Sequence, residues 1–160
     1  MVNDPLILEP RLWFGVLCHA FGTDPSGRIM LQGVFNQIQF FTPDEATGMP
    51  PHAQLSGILA VGFSDGLGHF DWEVDLIDLD DNVLWTRPGG QWSFDMGPGE
   101  KNSAILTQEV RHWLRQTGKF HFRLHRPGGA GEEHRIPFEV AERIGPSQVE
   151  GETPPEAPRQ

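Results

Sequence analysis

From Phe70 to Leu76 the apolar residues Phe70, Trp72, Val74 and Leu76 alternate with Asp71, Glu73 and Asp75. Side chains on a strand point to opposite faces with period two, so this segment predicts a strand with one apolar and one acidic face. It runs through Leu79 into Asp78-Leu79-Asp80-Asp81-Asn82 and resumes at Val83-Leu84-Trp85, a tight turn and a returning strand. That pattern belongs to an antiparallel sheet with one side packed and the other wet. Lys119 to His125 repeats it, with Phe120, Phe122 and Leu124 on one face and His121, Arg123 and His125 on the other. If these two strands are neighbours, the acidic and basic faces lie side by side and help to set register.

Other segments follow the same alphabet. Leu12 to Ala20 is a nearly continuous apolar run of strand length, and Gly22 to Gly27 carries loop chemistry. Arg28 to Phe41 predicts one long strand, or a strand broken near Gly33, where the apolar phase shifts. Thr42 to Pro51 is a connector, and Leu55 to Phe63 is a strand with Leu55, Gly57, Leu59, Val61 and Phe63 in phase. Arg87 to Gly99 is an irregular loop or a short edge strand around Trp92. Arg135 to Val140 is a short strand that Pro137 assigns to an edge. Leu106, Val110, Trp113 and Leu114 also fit helical spacing, between Ser103 and Gly118 as caps. A strand followed by an irregular turn suits the neighbouring strands better. Turn signals every eight to twelve residues predict an all-β fold: an immunoglobulin-like or C2-like antiparallel β-sandwich of about seven to nine strands, with room for one short helix. Residues 8–142 form this domain, and 143–160 a disordered, acidic, Pro-rich tail without enough apolar surface to order itself.

The 160-residue length suits one domain with a full core. Twelve Lys and Arg against twenty-two Asp and Glu leave a net charge of −10, which repels phosphate backbones and anionic membrane surfaces. No apolar run reaches the roughly 18 to 20 residues of a membrane helix. Met1 to Pro5 lacks a basic leader, and the single Cys18 can form no internal disulfide. A cytoplasmic setting is expected, with neither nucleic acid nor membrane as partner.

Leu17-Cys18-His19, Gly27-Arg28, Leu31-Gln32-Gly33-Val34-Phe35, Leu59-Ala60-Val61, Asp78 to Asn82 and Gly118-Lys119-Phe120-His121-Phe122 together resemble an uncharacterised bacterial family of small β-sandwich proteins, a domain of unknown function. The resemblance covers most of Leu12 to Val140. It implies the sandwich and no catalytic residues; where such proteins often carry a tyrosine, this chain has Phe120.

Several residue groups match the spacing of known chemistry. Gly62-Phe63-Ser64-Asp65-Gly66 matches G-x-S-x-G, but a hydrolase serine needs a strand-to-helix turn, and a strand follows here. His121 and His125 lie roughly 13 Å apart along a strand, too far to share one ion. Cys18 and His19 point to opposite faces, a buried thiol beside a solvent-facing imidazole. Asp78, Asp80 and Asp81 could bind calcium, with help from Asp65 or Asp95. An EF-hand frame fails there, because its sixth and twelfth positions are Val83 and Gly89. The favoured alternative is a turn capped by its own Asp and Asn side chains, with Asn82 at positive φ. Trp72 and Trp85 fall on the buried phase; Trp92 is either an exposed sugar stacker or a plug over the sheet edge.

The reading that follows is a non-catalytic binding module with a protein partner and no cofactor, using a sheet face or loop end. Trp92, His121, Arg123 and His125 are the candidate ligand residues. The alternatives are a calcium- or carbohydrate-binding sandwich on Asp78, Asp80, Asp81 and Trp92, and a small hydrolase on Ser64 or the histidines. An unprotected edge pairing into a homodimer is the secondary expectation.

Overall fold

The computed structural model describes residues 6–43, 48–129 and 131–142. The predicted tail, 143–160, lies outside them. The fold is all-β: β1 (Arg11–Cys18), β2 (Ala20–Thr23), β3 (Ile29–Gln32), β4 (Gln37–Phe40), β5 (Ala53–Ser64), β6 (Gly68–Ile77), β7 (Val83–Thr86), β8 (Trp92–Met96), β9 (Ser103–Leu114), β10 (Gly118–His125) and β11 (His134–Glu142). The only helical pieces among the described residues are 3-10 turns at Gly99–Asn102 and Pro127–Gly129.

Eleven strands exceed the seven to nine expected, because two apolar runs are each cut in two. Gly33, at a φ of 65°, ends the first half of the Arg28 to Phe41 segment. A side chain there would collide with the His19 ring, whose Cδ2 lies 2.6 Å from the position of a Cβ. His19 in turn separates β1 from β2, its amide donating to the Gln32 carbonyl (2.9 Å). The ambiguous Leu106 to Leu114 segment is strand throughout. Its helical spacing was a coincidence of apolar residues on an edge strand that also uses period two.

One sheet has the order β1-β5-β9. The other has the order β4-β11-β10-β6-β7, with β8 also on β6, and β2-β3 forms a small separate hairpin. β7 and β8 occupy the same side of β6 end to end, β7 along Asp75 to Ile77 and β8 along Gly68 to Trp72. Among the described residues all pairings are antiparallel except β4 on β11, which is parallel. That pairing corrects two expectations, a purely antiparallel sheet and β11 as an edge along its whole length. β4 covers only Glu139 to Glu142. The Glu139 amide donates to Asn36 (2.8 Å), so the odd-numbered amides of β11 face β4. Pro137, which has no N–H, therefore faces the stretch of β11 that β4 does not reach.

The inner faces of the two sheets share one core. Leu55, Leu59, Val61 and Phe63 of β5 meet Phe70, Trp72, Val74 and Leu76 of β6, with Phe120, Phe122 and Leu124 of β10 beside them. Trp72 is fully buried and stacks on Phe63 at 5.4 Å between centroids. Among the described residues no helix is long and apolar enough to cross a membrane.

Candidate functional site

The outer face of the larger sheet is polar because the odd residues of β6 and β10 are charged. The strands are neighbours, with Asp75 opposite Arg123 and Glu73 opposite His125. Asp75, only 7% exposed, is the centre. Thr86 Oγ1 donates to its Oδ1 (2.9 Å), while Arg123 Nη2 (3.1 Å) and His125 Nε2 (2.8 Å) meet its Oδ2. Burial pushes the Asp75 carboxyl up, but the hydrogen bonds from His125, Arg123 and Thr86 outweigh it and hold it below the ordinary aspartate value. The chain of charges continues from Arg123 to Glu133 (3.9 Å), Glu133 to Arg135 (2.8 Å) and Arg135 to Asp81 (3.1 Å). His121 is apart from this network, opposite Ile77 on one side and Pro137 on the other. The network ties β6 to β10 in register, and within it Arg123 Nε is buried without a hydrogen-bond partner.

The acidic turn is organised from within. Asp78 Oδ1 accepts from the amides of Asp80 and Asn82 (both 2.9 Å), and its Oδ2 accepts from Asn82 Nδ2 (3.0 Å). Those bonds, the Asn82 side chain first, keep the Asp78 carboxyl below its ordinary value. Positive φ falls on Asp81 (61°) rather than on Asn82. The turn needs a left-handed residue one place earlier than the sequence pattern suggested, and aspartate tolerates it. Asp65 lies in the β5–β6 turn, bonded to Ser64 and Asn102, and Asp95 bonds to His69. Among the described residues neither is joined to the Asp78 turn by a hydrogen bond. Among the described residues no group of three or more His, Cys, Asp or Glu is placed to hold a metal ion.

Ser64 ends β5 and its hydroxyl donates to Asp65 (3.3 Å); β6 follows after a short turn, in place of the helix a hydrolase elbow needs. Cys18 is fully buried and His19 exposed, as alternation predicts. Trp92 is 5% exposed, paired with Trp72 across β6 and β8, with the Arg87 guanidinium 5.6 Å from its ring centroid. It fills the edge of the core and has no open face for a sugar.

His69 escaped the sequence reading. Its Nδ1 meets Asp95 (2.8 Å) and its Nε2 meets Asp71 (3.1 Å). The bond to Asp95 leads in raising its pKa above the ordinary value. Ser93 donates to Asp71 and not to the imidazole, so the hydroxyl and His69 share the same carboxylate. The signal was available: His69, Asp71 and Asp95 all fall on the polar phase of their strands.

The outer face of β1-β5-β9 is the opposite in character. Register puts Phe14 beside Gly62, Val16 beside Ala60, Ile105 beside Gly62 and Thr107 beside Ala60, with Ile58 in the same row. Phe14 lies flat across Gly62, where a Cβ would sit 2.3 Å from its ring. Trp13, 63% exposed, and Trp113, 45% exposed, stand at the two ends. The sequence reading missed this face, although the signal was present. β1 is apolar in both phases, and Ile58 and Ala60 interrupt the polar phase of β5.

Comparison with protein-family models and with curated protein sequences finds no match to this chain.

Proposed function

We propose that this protein is a non-catalytic interaction module: an immunoglobulin-like or C2-like β-sandwich, acting in the cytoplasm, that binds a partner protein through the outer face of β1-β5-β9. The observation that carries the reading is the row Phe14, Val16, Ile58 and Ile105 on the solvent side of a sheet, bracketed by exposed Trp13 and Trp113. A contiguous apolar sheet face costs solubility unless something covers it, and exposed tryptophan is enriched where proteins meet. The net charge of −10 favours a partner with an apolar patch inside a basic rim. The resemblance to an uncharacterised family of small sandwich proteins supports the architecture and supplies no chemistry. The calcium and sugar readings lose support because Asp78 spends its oxygens on the turn and Trp92 is buried.

The test is affinity capture with the full chain and with an Ile58→Lys/Ile105→Lys variant, after a thermal melt shows both folded. A protein held by the first and lost by the second supports this face. The same proteins held by both would overturn it.

A further inference from the structure

β9 is an edge strand of unusual length. Its twelve residues pair without interruption to β5, from Ser103 opposite Ser64 to Leu114 opposite Ala53. Among the described residues its other side hydrogen-bonds to no strand. Proteins blunt such edges with proline, bulges, short length or a covering element. The other edges show these devices. β1 carries a bulge at Trp13 and is bridged at Leu17 by Phe35, while β4, β7 and β8 are four or five residues long. β9, Ser-Ala-Ile-Leu-Thr-Gln-Glu-Val-Arg-His-Trp-Leu, has no proline, no glycine and no bulge.

We propose that β9 pairs with β9 of a second copy, antiparallel, around a two-fold axis through Val110, joining two three-stranded sheets into one of six strands. The register follows from the sequence. Directly opposed residues in an antiparallel pair point to the same face. A dimer that keeps its two cores on the same side therefore pairs odd residues with odd and even with even, which centres the axis on a residue. An axis on Glu109 sets Glu109 against its own copy, and an axis on Arg111 sets Arg111 against its own copy. The axis on Val110 sets each Glu109 opposite the other copy's Arg111, twice. Neither side chain has a hydrogen-bond or ion-pair partner within the described residues of one chain, so both are free for this pairing. On the same outer row Thr107 meets Trp113, whose indole packs edge-on against His52 within one chain. On the inner row Leu106 meets Leu114 and Gln108 meets His112, extending the core face across the axis. The span Leu106 to Leu114 also stays clear of the corner where the Gly99–Asn102 turn and β8 approach the start of the strand.

This inference uses the edge of the strand and not the sheet face, so it stands or falls separately from the binding reading above. The experiment is sedimentation velocity of the full chain across a concentration series, for the unchanged protein, for Arg111→Glu, and for the exchange Glu109→Arg/Arg111→Glu. A thermal melt of each confirms the fold. The unchanged protein is expected to dimerise. Arg111→Glu places like charges opposite each other twice and is expected to weaken the dimer by roughly a hundredfold. The exchange restores opposite charges and the dimer. Amide hydrogen exchange across β9 should slow with concentration in the first and third proteins only. A monomer at every concentration overturns the proposal and leaves the edge to another protein's strand. A dimer indifferent to Arg111→Glu, or a folded exchange variant that stays monomeric, overturns the register and with it the proposal.

Discussion

On the β6–β10 side, Asp75, Arg123, His125 and Thr86 line the outer face bonded to one another; on the β1–β5–β9 side, Phe14, Val16, Ile58 and Ile105 lie half-buried on the outer face, outside the shared core. Both faces belong to sheets that share one core, so burial alone does not account for the difference. A polar strand face can satisfy itself by cross-strand pairing, whereas an apolar one can be satisfied only by another molecule. The contrast teaches that the charged residues, which attract attention as chemistry, are already engaged in cross-strand bonds. The quiet aliphatic row is the better candidate for function.

The comparison breaks most completely if the common core fails. Trp72→Ala removes the ring that stacks on Phe63 and is expected to cost about 3–5 kcal/mol in denaturant unfolding. Both faces should then be lost together. Asp75→Ala acts on one side alone. It leaves Arg123, His125 and Thr86 without their acceptor and should cost about 2–3 kcal/mol.

The same residue gives that side a pH signature. The Asp75 carboxyl is lowered in the folded protein, so its contribution is complete above the unfolded value, about 4. The contribution fades as pH falls below that value and is gone below the folded one. Acid titration of stability should therefore show a smaller drop in Asp75→Asn than in the unchanged protein. An equal drop would locate acid sensitivity elsewhere.

At the rim of the polar side, Asp81→Val forces a β-branched residue to a φ of 61° and should cost about 1–2 kcal/mol, while Asp81→Gly should cost almost nothing. The smallest effect belongs to the other face. Ile105→Lys should change stability by less than about 0.5 kcal/mol, because Ile105 points away from the core. A larger loss would mean that the apolar row is structural after all.

Much of the fold was legible because period-two alternation is written plainly in β6 and β10. The acidic face of β6 beside the basic face of β10 was expected from it, while the register that sets Asp75 opposite Arg123 and Glu73 opposite His125 was not. What alternation could not show was where long apolar runs break. His19 and Gly33 divide two of them through a steric contact between residues far enough apart that neither segment displays it alone. The parallel docking of β4 on β11 likewise depends on tertiary placement and leaves no local trace. The surfaces were harder to read for a related reason. The glycine-rich setting left Trp92 open between an exposed stacker and a plug over the sheet edge, and its place opposite Trp72 makes it the plug. Ile58 and Ala60 were absorbed into a generic apolar strand, though they mark its second face.

The strand order has a consequence for how the chain reaches this state. β5 is the middle of the smaller sheet, and both its neighbours are distant in sequence: Ser64 waits for Ser103 and Ala53 for Leu114, with all of β6, β7 and β8 emerging in between. Loops that long must close before their contacts yield anything, which places such topologies in the millisecond-to-second range of folding times. During synthesis β1 and β5 can pair first, with the other flank of β5 bare until the ribosome has delivered β9. That interval is when a nascent chain of this design most needs protection from its neighbours on the same message.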